Sequence, residues 1–267
     1  MTGGFTLSAD YFVRFMLVFF RLGGIVIFAP FFSHRSFPIL VRISLTFFLS
    51  LIVFPIVTDQ TFVSPTSIYS FFLAIFHELM IGFVIGFCAQ LFFTGIQFGG
   101  ELISVQIGLS TATLLDPGQS EQITVIAQLY AFFAMVIFIG VGGHHLLVRS
   151  MVETFDIVPL GGFRMTDNIM SEVRILFGQI FTIGFQISAP VFVASFLTTV
   201  AMALITRAIP QINVFMIAPP FQIIIGFTMI ALSLNASIFM FQHLFEKMAD
   251  NLHTIILEMG EASKINS

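Results

Sequence analysis

The chain has 267 residues, of which 57% are hydrophobic and only 9% are charged, and its mean hydropathy is +1.03. A soluble domain carries roughly a quarter charged residues because water must wet its surface, so 10 Lys plus Arg and 14 Asp plus Glu are too few for a soluble globule of this length. The net charge of −4, without a basic block, excludes a nucleic-acid-binding protein. The composition predicts an integral membrane protein in contact with lipid.

About six apolar segments follow one another along the chain. They cover residues 12–32, 39–57, 71–98, 123–147, 169–209 and 214–241. A membrane-spanning helix needs about 20 residues, and the period-2 alternation of barrel strands is absent, so we predict an all-α, multi-pass membrane protein of hydrophobic helical hairpins. The fifth segment is about twice as long as one span and contains Pro190, so either a long kinked helix or a tight hairpin fits it.

The first and third segments carry charged side chains at positions where a membrane helix is normally apolar. Arg14 and Arg21 lie seven residues apart, on one face of a helix, and His77 and Glu78 lie inside the third segment. A charge at membrane depth is costly unless it is paired or faces water. We expect these side chains to be buried in protein or to line a wet path. Snorkelling near a helix end is the alternative, and it suits Arg14 better than Arg21.

Glycines in the third segment recur at a spacing of four residues. Gly82 and Gly86 form one such pair, and Gly95 and Gly99 form a second pair in the same helix. Small residues at this spacing let the backbones of membrane helices approach each other closely. Two successive pairs predict a packed helix face, either within the chain or against another subunit.

The stretch between the third and fourth segments is GGELISVQIGLSTATLLDPGQSEQ, residues 99–122. It carries polar residues such as Glu101, Gln106 and Asp116, yet it stays half apolar through residues such as Ile107 and Leu114. A solvated connector would be more uniformly polar. Two interpretations stay open: a re-entrant or pore-facing loop, tolerated only where protein or water surrounds it, and an ordinary amphipathic connector.

A second polar interruption, TRAIPQINVFMIAPP, separates the last two segments at residues 206–220. Prolines lie at both of its ends, and proline stops helices. The amide side chains between them can take up the backbone groups that are left free. We predict a turn at a helix–helix junction.

Catalytic and metal-binding patterns are missing from the sequence. His77-Glu78 is not followed by the second His of a zinc-binding H-E-x-x-H helix. The neighbouring His144 and His145 should point about 100° apart on a helix, so that they cannot hold one metal ion together. We therefore predict no catalytic residue, no metal site, no cofactor and no enzymatic activity.

The polar interruptions resemble the FliR/SctT family of export-gate subunits of type III secretion systems. The stretch 99–122 is similar to the family's succession of Gly-Glu, Gln-x-Gly-Leu, Ala-Thr and Asp-Pro. The matching positions are Gly100, Glu101, Gln106, Gly108, Leu109, Ala112, Thr113, Asp116 and Pro117. RAIPQINVFMIAPP resembles the family's Arg-x-x-Pro-Gln-x-Asn-Val-Phe block, and APFFSHRSFPILVRISL resembles its first inter-helix turn. Those positions are Arg207, Pro210, Gln211, Asn213, Val214 and Phe215, and then Pro30, Arg35, Pro38 and Arg42.

The chain departs from the family pattern directly after the second block. Ala218, Pro219, Pro220 and Gln222 stand where the family usually has Gly-x-Pro and often a basic residue. The loss of this glycine can alter the turn, but it leaves the assignment unchanged.

The resemblance implies a non-enzymatic, channel-forming subunit of the flagellar type III protein export gate, forming one domain over residues 1–267. Such a subunit lies in the bacterial inner membrane at the flagellar basal body. It joins FliP and FliQ in a hetero-oligomeric helical gate, with FlhB and FlhA as further partners. Unfolded flagellar subunits pass through that gate, and much of it stands above the membrane plane.

The resemblance also implies that residues 99–122 contain a plug-like loop inside the pore, with the plug itself at about residues 106–122. The plug positions are Gln106, Ile107, Gly108, Leu109, Leu114, Leu115, Asp116, Pro117 and Gly118. Our hypothesis is that the Ile and Leu side chains seal against an apolar ring of a partner subunit, while Asp116-Pro117-Gly118 sets the shape of the loop. A second set is predicted to be buried or to pack. It contains Arg14, Arg21, Glu78, Glu101, Arg207, Pro210, Gln211 and Asn213.

A secondary transporter for a small solute is the alternative function. Buried charges and broken helices would then form a binding site near the membrane midplane. That class is commonly built from repeated halves, and the sequence has no convincing repeat. Co-purification separates the two functions, because a gate subunit should bring small hydrophobic partner subunits with it.

Overall fold

The structure, a computed structural model, describes residues 3–30, 32, 38–57, 65, 67–109, 124–211 and 214–264. Within these ranges every regular element is an α-helix. The helices are α1 (Gly3–Phe28), α2 (Ile39–Val57), α3 (Ile68–Gln106), α4 (Val125–Gly140), α5 (Gly143–Ile157), α6 (Asp167–Ala208) and α7 (Val214–Lys264). Five of the described helices are long and apolar enough to span a membrane, and α4 with α5 makes a sixth if they count as one broken span. The predicted all-α, multi-pass architecture is confirmed.

The fourth predicted segment, residues 123–147, is two helices and not one. Helix α4 ends at Gly140 and α5 begins at Gly143, with Gly142 between them in the left-handed region at φ +79°. An L-residue with a side chain rarely adopts that backbone conformation, so glycine is what permits the break. Hydropathy alone missed the break because apolar residues continue across it.

The fifth segment is one continuous helix of 42 residues, α6, with Pro190 inside it. The long-helix interpretation is therefore correct, and the hairpin is wrong. Ile183, Ile187 and Val191 are all buried, and their spacing of four residues keeps one face of α6 packed on both sides of the proline. This packing keeps the helix continuous although Pro190 removes one backbone hydrogen bond.

Helix α7 differs from the prediction at both ends. It runs through Pro219 and Pro220, which were expected to stop it, and it continues far beyond residue 241 to Lys264. The two prolines remove only two backbone hydrogen bonds close to the helix start. Beyond residue 241 the buried side chains keep a spacing of three to four residues, as in an amphipathic helix. They are Leu244, Phe245, Met248, Leu252, Ile255, Ile256 and Met259.

The chain divides into two compact units. Unit 1 comprises Met1–Leu91, Gly142–Leu176 and Glu246–Ser267, and unit 2 comprises Phe92–Val141 and Phe177–Phe245. The single domain over residues 1–267 stays a prediction.

In unit 1, α1 and α3 approach to near backbone contact. A Cβ atom on Gly82 would overlap the carbonyl oxygen of Arg21 and would lie 2.8 Å from the backbone N of Ile25. A Cβ on Gly86 would lie 2.9 Å from the Ile25 carbonyl oxygen. The first predicted glycine pair therefore packs within the chain, because only glycine leaves room for the facing backbone.

In unit 2, the second glycine pair of α3 packs on α6. Cβ atoms on Gly95 and Gly99 would lie 3.1 Å and 2.9 Å from the Cβ atoms of Ile183 and Ile187. An aromatic cluster joins α3, α4 and α7, with the Phe138 and Phe245 ring centroids 5.1 Å apart. Close helix packing and aromatic contacts thus form the core of this unit.

Candidate functional site

Arg21 of α1 and Glu78 of α3 form an ion pair that is fully buried in unit 1. Arg21 Nε donates to Glu78 Oε2, and Arg21 Nη2 donates to Glu78 Oε1 at 3.1 Å. Two parallel N–H···O bonds between a guanidinium and a carboxylate combine charge attraction with a fixed orientation. Two of the charged residues that the sequence places at membrane depth therefore neutralise each other.

The remaining donors of Arg21 reach the end of α5. Arg21 Nη1 donates to the carbonyl oxygens of Thr154 at 2.9 Å and Val158 at 3.0 Å, and Nη2 donates to that of Pro159 at 3.4 Å. The carbonyls at the C-terminus of a helix carry its partial negative charge. The Thr154 carbonyl also accepts the N–H of Val158, the C-cap of α5. Because all five guanidinium N–H groups have acceptors, Arg21 caps α5 while it pairs with α3.

The loop after α5 closes over Glu78. The Gly161 N–H donates to Glu78 Oε1 at 2.7 Å, and Gly161 adopts φ +76°. The ring of the neighbouring His77 is linked to the same glycine, with Nδ1 3.3 Å from the Gly161 carbonyl oxygen. Glu78 thus receives two bonds from Arg21 and one from the loop, and buried carboxylates persist only when they are satisfied in this way.

This cluster of Arg21, Glu78, Thr154, Val158, Pro159 and Gly161 is a structural tie. The charges of Arg21 and Glu78 are satisfied by each other and by backbone groups, so neither faces a wet path in the described part of the chain. The sequence did not reveal the loop as the partner of the ion pair. The Pro159 to Gly162 run is a turn signal that could have suggested it. Arg14 and Glu101, from the same predicted set, are half-buried.

The first part of the polar stretch 99–122 is helical. Residues 99–106 belong to α3, and the helix ends in a turn at Ile107–Leu109. The Gly108 N–H donates to the Val105 carbonyl at 3.1 Å, and the Leu109 N–H donates to the Ser104 carbonyl at 3.1 Å. With Gly108 at φ +84°, this is the Schellman helix end, in which glycine occupies the left-handed position.

The far end of the connector is capped as well. The Thr124 hydroxyl accepts a hydrogen bond from the Ala127 N–H at 3.3 Å, as the N-cap of α4. Gln106 and Leu109 are half-buried and Ile107 is fully buried. The other plug positions, Leu114, Leu115, Asp116, Pro117 and Gly118, lie outside the described residues, as does the rest of 110–123.

The turn between α6 and α7 places its predicted residues on the surface. Arg207, Pro210 and Gln211 are exposed, which differs from their predicted burial. They sit where one helix ends and the next begins, and no other described element covers them in the isolated chain. Asn213 lies outside the described residues.

His144 and His145 also differ from the expectation. Their ring centroids lie only 4.0 Å apart, although adjacent positions on a helix point in different directions. The rotation of each side chain about its own bonds brings the rings together. Helix periodicity alone was therefore a poor guide to whether these two rings can meet.

An apolar cleft of about 570 Å³ lies between α6 and α7 in unit 2, with Leu197, Ala201, Ile217 and Phe221 in its wall. The hydroxyl of Thr198, which also lines it, donates to its own helix at the Ala194 carbonyl. The described lining therefore offers contact with apolar groups and no free polar group for chemistry.

Comparison with known proteins gives consistent matches over most of the chain. The family described as bacterial export proteins, family 1, matches residues 12–248. The flagellar biosynthetic protein FliR of Bacillus subtilis (strain 168) is 28% identical over 259 residues, covering 94% of this chain and 97% of the relative. FliR of Escherichia coli (strain K12) is 28% identical over 239 residues, covering 90% and 91%. FliR of Caulobacter vibrioides is 29% identical over 219 residues, covering 82% and 87%.

Proposed function

The chain belongs to the bacterial export proteins, family 1, and we propose from this premise that it is a non-enzymatic, channel-forming subunit of the flagellar protein export gate. The observation that carries the proposal is the family match over residues 12–248, in a chain whose described residues include five to six helices long and apolar enough to cross a membrane. The protein is thus a multi-pass protein of the bacterial inner membrane in the flagellar apparatus. Unfolded flagellar subunits would pass through the gate that it helps to form.

We further propose FliP and FliQ as partners in one hetero-oligomeric gate, with FlhB and FlhA in contact with it. The support is the amount of apolar surface that the single chain leaves uncovered. Along α6, for example, Phe177, Phe181 and Phe185 are each more than half exposed and recur every four residues. Such a stripe on one helix face needs lipid or an apolar partner against it.

A third proposal concerns the connector between α3 and α4, which would act as the plug of the gate. Both of its ends are capped, by Gly108 and Thr124, so its entry and exit are fixed, while the sequence between them mixes polar residues with Leu. A plug has to be held in place and yet be easy to displace, and fixed ends on a mixed-polarity loop suit both needs. Its Leu side chains would seal against an apolar ring of a partner.

Deletion of residues 108–116 tests the plug. We expect the gate to assemble, measured by co-purification of its partners, while the membrane becomes permeable to small ions, because the seal is lost. Replacement of 110–116 by seven Gly and Ser residues keeps Gly108 and Leu109 and should leak as well. An assembled deletion variant with wild-type conductance would refute the plug.

The small-solute transporter finds no support in the relatives, whose names describe flagellar biosynthesis. The same purification discriminates between the two functions. A transporter would purify alone or as a homo-oligomer, whereas the gate subunit would bring its smaller hydrophobic partners.

A further inference from the structure

The turn that ends α3 is seated on α7. Ile107 is fully buried, and its side chain lies against Gly226, which is itself buried. A Cβ atom on Gly226 would overlap Ile107 Cγ2 and would lie 3.0 Å from Ile107 Cβ. Isoleucine is branched at Cβ and therefore stiff, so the side chain could not yield without moving the backbone of the turn. The missing side chain of Gly226 forms a socket for Ile107.

Gln222 lies near the turn, one helical turn earlier than Gly226 on α7. A Cβ on Gly108 would come 3.8 Å from Gln222 Oε1, and Gln222 and Gly226 share a helix face because they are four residues apart. Gln222 Nε2 also donates to Thr199 Oγ1 of α6 at 3.2 Å. Residues of α6 and α7 thus form one surface under the Ile107–Gly108 turn. Gln222 is a position at which this chain departs from the family pattern.

The Ile107 contact is unlike the other glycine contacts of unit 2. Gly95, Gly99 and Gly184 each meet a side chain within a helix, namely Ile183, Ile187 and Phe98, and Gly100 meets the backbone of Ala127 within α4. Ile107 lies beyond the end of α3, directly before the left-handed Gly108 that turns the chain into the connector. Because of this position, the socket on α7 fixes the direction in which the connector leaves the helix.

We propose that Ile107, seated against Gly226, is the anchor that holds the base of the plug-like connector in the closed gate. The inference rests on the proposed plug function and adds the residues that position it. Ile107 and Gly226 are positioning residues, because they act on the pore through the connector that they hold. The hairpin of α6 and α7 is the support to which the plug is attached.

The first test compares two glycine substitutions in the assembled gate. Gly226→Ala places a methyl group in the socket, whereas Gly178→Ala on α6 meets nothing within 4 Å. We expect Gly226→Ala to raise the small-ion conductance of the membrane severalfold and Gly178→Ala to leave it at the wild-type value, with equal co-purification of partners. Wild-type conductance in an assembled Gly226→Ala gate overturns the anchor.

The second test applies if Gly226→Ala does not assemble. Ile107→Ala empties the socket without any overlap, and Ile103→Ala is its matched control, since Ile103 is equally buried but belongs to the body of α3. We expect a leak from Ile107→Ala alone. Equal leaks from both variants would mean general loosening of the core and would overturn the anchor.

The two proposals fail separately. If the deletion of 108–116 leaks and Ile107→Ala does not, the plug stands and the anchor is wrong. If neither leaks in assembled gates, the plug itself is wrong.

Discussion

At the scale of single residues, a charge inside an apolar segment can mark a wet path or a structural tie. Arg21 and Glu78 are a tie, because every donor of the guanidinium is bound by a carboxylate or by a backbone carbonyl. The Phe155 ring adds a cation–π contact, with Arg21 Cζ 4.4 Å from its centroid. Removal of one partner would leave the other charge buried and unsatisfied.

Glu78→Gln should therefore destabilise the protein strongly, by about 3 kcal/mol or more, because it breaks a buried ion pair from one side. The measurement is thermal unfolding in detergent, followed by circular dichroism. Glu101→Gln is the matched control, since Glu101 is only half-buried, and it should change the unfolding midpoint little. The double change Arg21→Met with Glu78→Leu should be milder than Glu78→Gln, because it leaves no unpaired charge. A midpoint for Glu78→Gln equal to that of Glu101→Gln would contradict the tie.

At the scale of helices, tertiary packing overrides local breakers. Pro190 lies inside α6, and Pro219 and Pro220 lie inside α7. Each proline removes one backbone hydrogen bond, which is a small loss beside the buried faces that continue on both sides of Pro190. Glycine acts in the opposite sense at Gly142, whose left-handed backbone breaks the helix inside an otherwise apolar segment.

The continuity of α6 predicts a long distance across Pro190. Gly178 and Thr206 are both exposed and lie within unit 2, and 28 residues of helix at 1.5 Å each span about 42 Å. We would label Gly178→Cys and Thr206→Cys with spin labels, with Cys88→Ser to remove the native thiol. Pulsed electron paramagnetic resonance should then report about this distance between the labels. A hairpin at Pro190 would bring the labels together, so a short distance would show that α6 is not continuous.

At the scale of the whole molecule, charge is distributed very unevenly. Of the 24 Asp, Glu, Lys and Arg residues, 20 fall in the sequence ranges of unit 1. The four in the ranges of unit 2 are Glu101, Asp116, Glu121 and Arg207. Unit 2 exposes bulky side chains such as Phe196 and Phe239, the latter at 75%. Unit 2, with few charges and bulky apolar side chains exposed, therefore needs lipid or apolar partners around it.

Cysteine labelling can check this assignment. In a Cys88→Ser background, Phe196→Cys in unit 2 should resist a charged maleimide in permeabilised cells, because a thiol needs water to ionise and react. Asp156→Cys in unit 1, which replaces an exposed charged residue, should react readily. Both should react after denaturation, which controls for expression. Equal labelling of the two native proteins would contradict the uneven surroundings.

The sequence by itself determined the class of protein, the apolar helices and the family. Composition and the spacing of apolar residues are local properties, and so are the glycine pairs of α3 and the motifs around Gln106 and Pro210. Where the signal was local but incomplete, the prediction missed a boundary, as at the Gly142 break, the start of the connector and the long tail of α7.

Only the tertiary structure decided which residues meet. The partners of Arg21 lie 57 and more than 130 residues away, and no local pattern carries that information. The same holds for Ile107, whose local sequence does not indicate that it is buried against Gly226. A socket exists only when a missing side chain on one helix faces a bulky one from another. That depends on the path of the whole chain, and so could not be predicted from either segment alone.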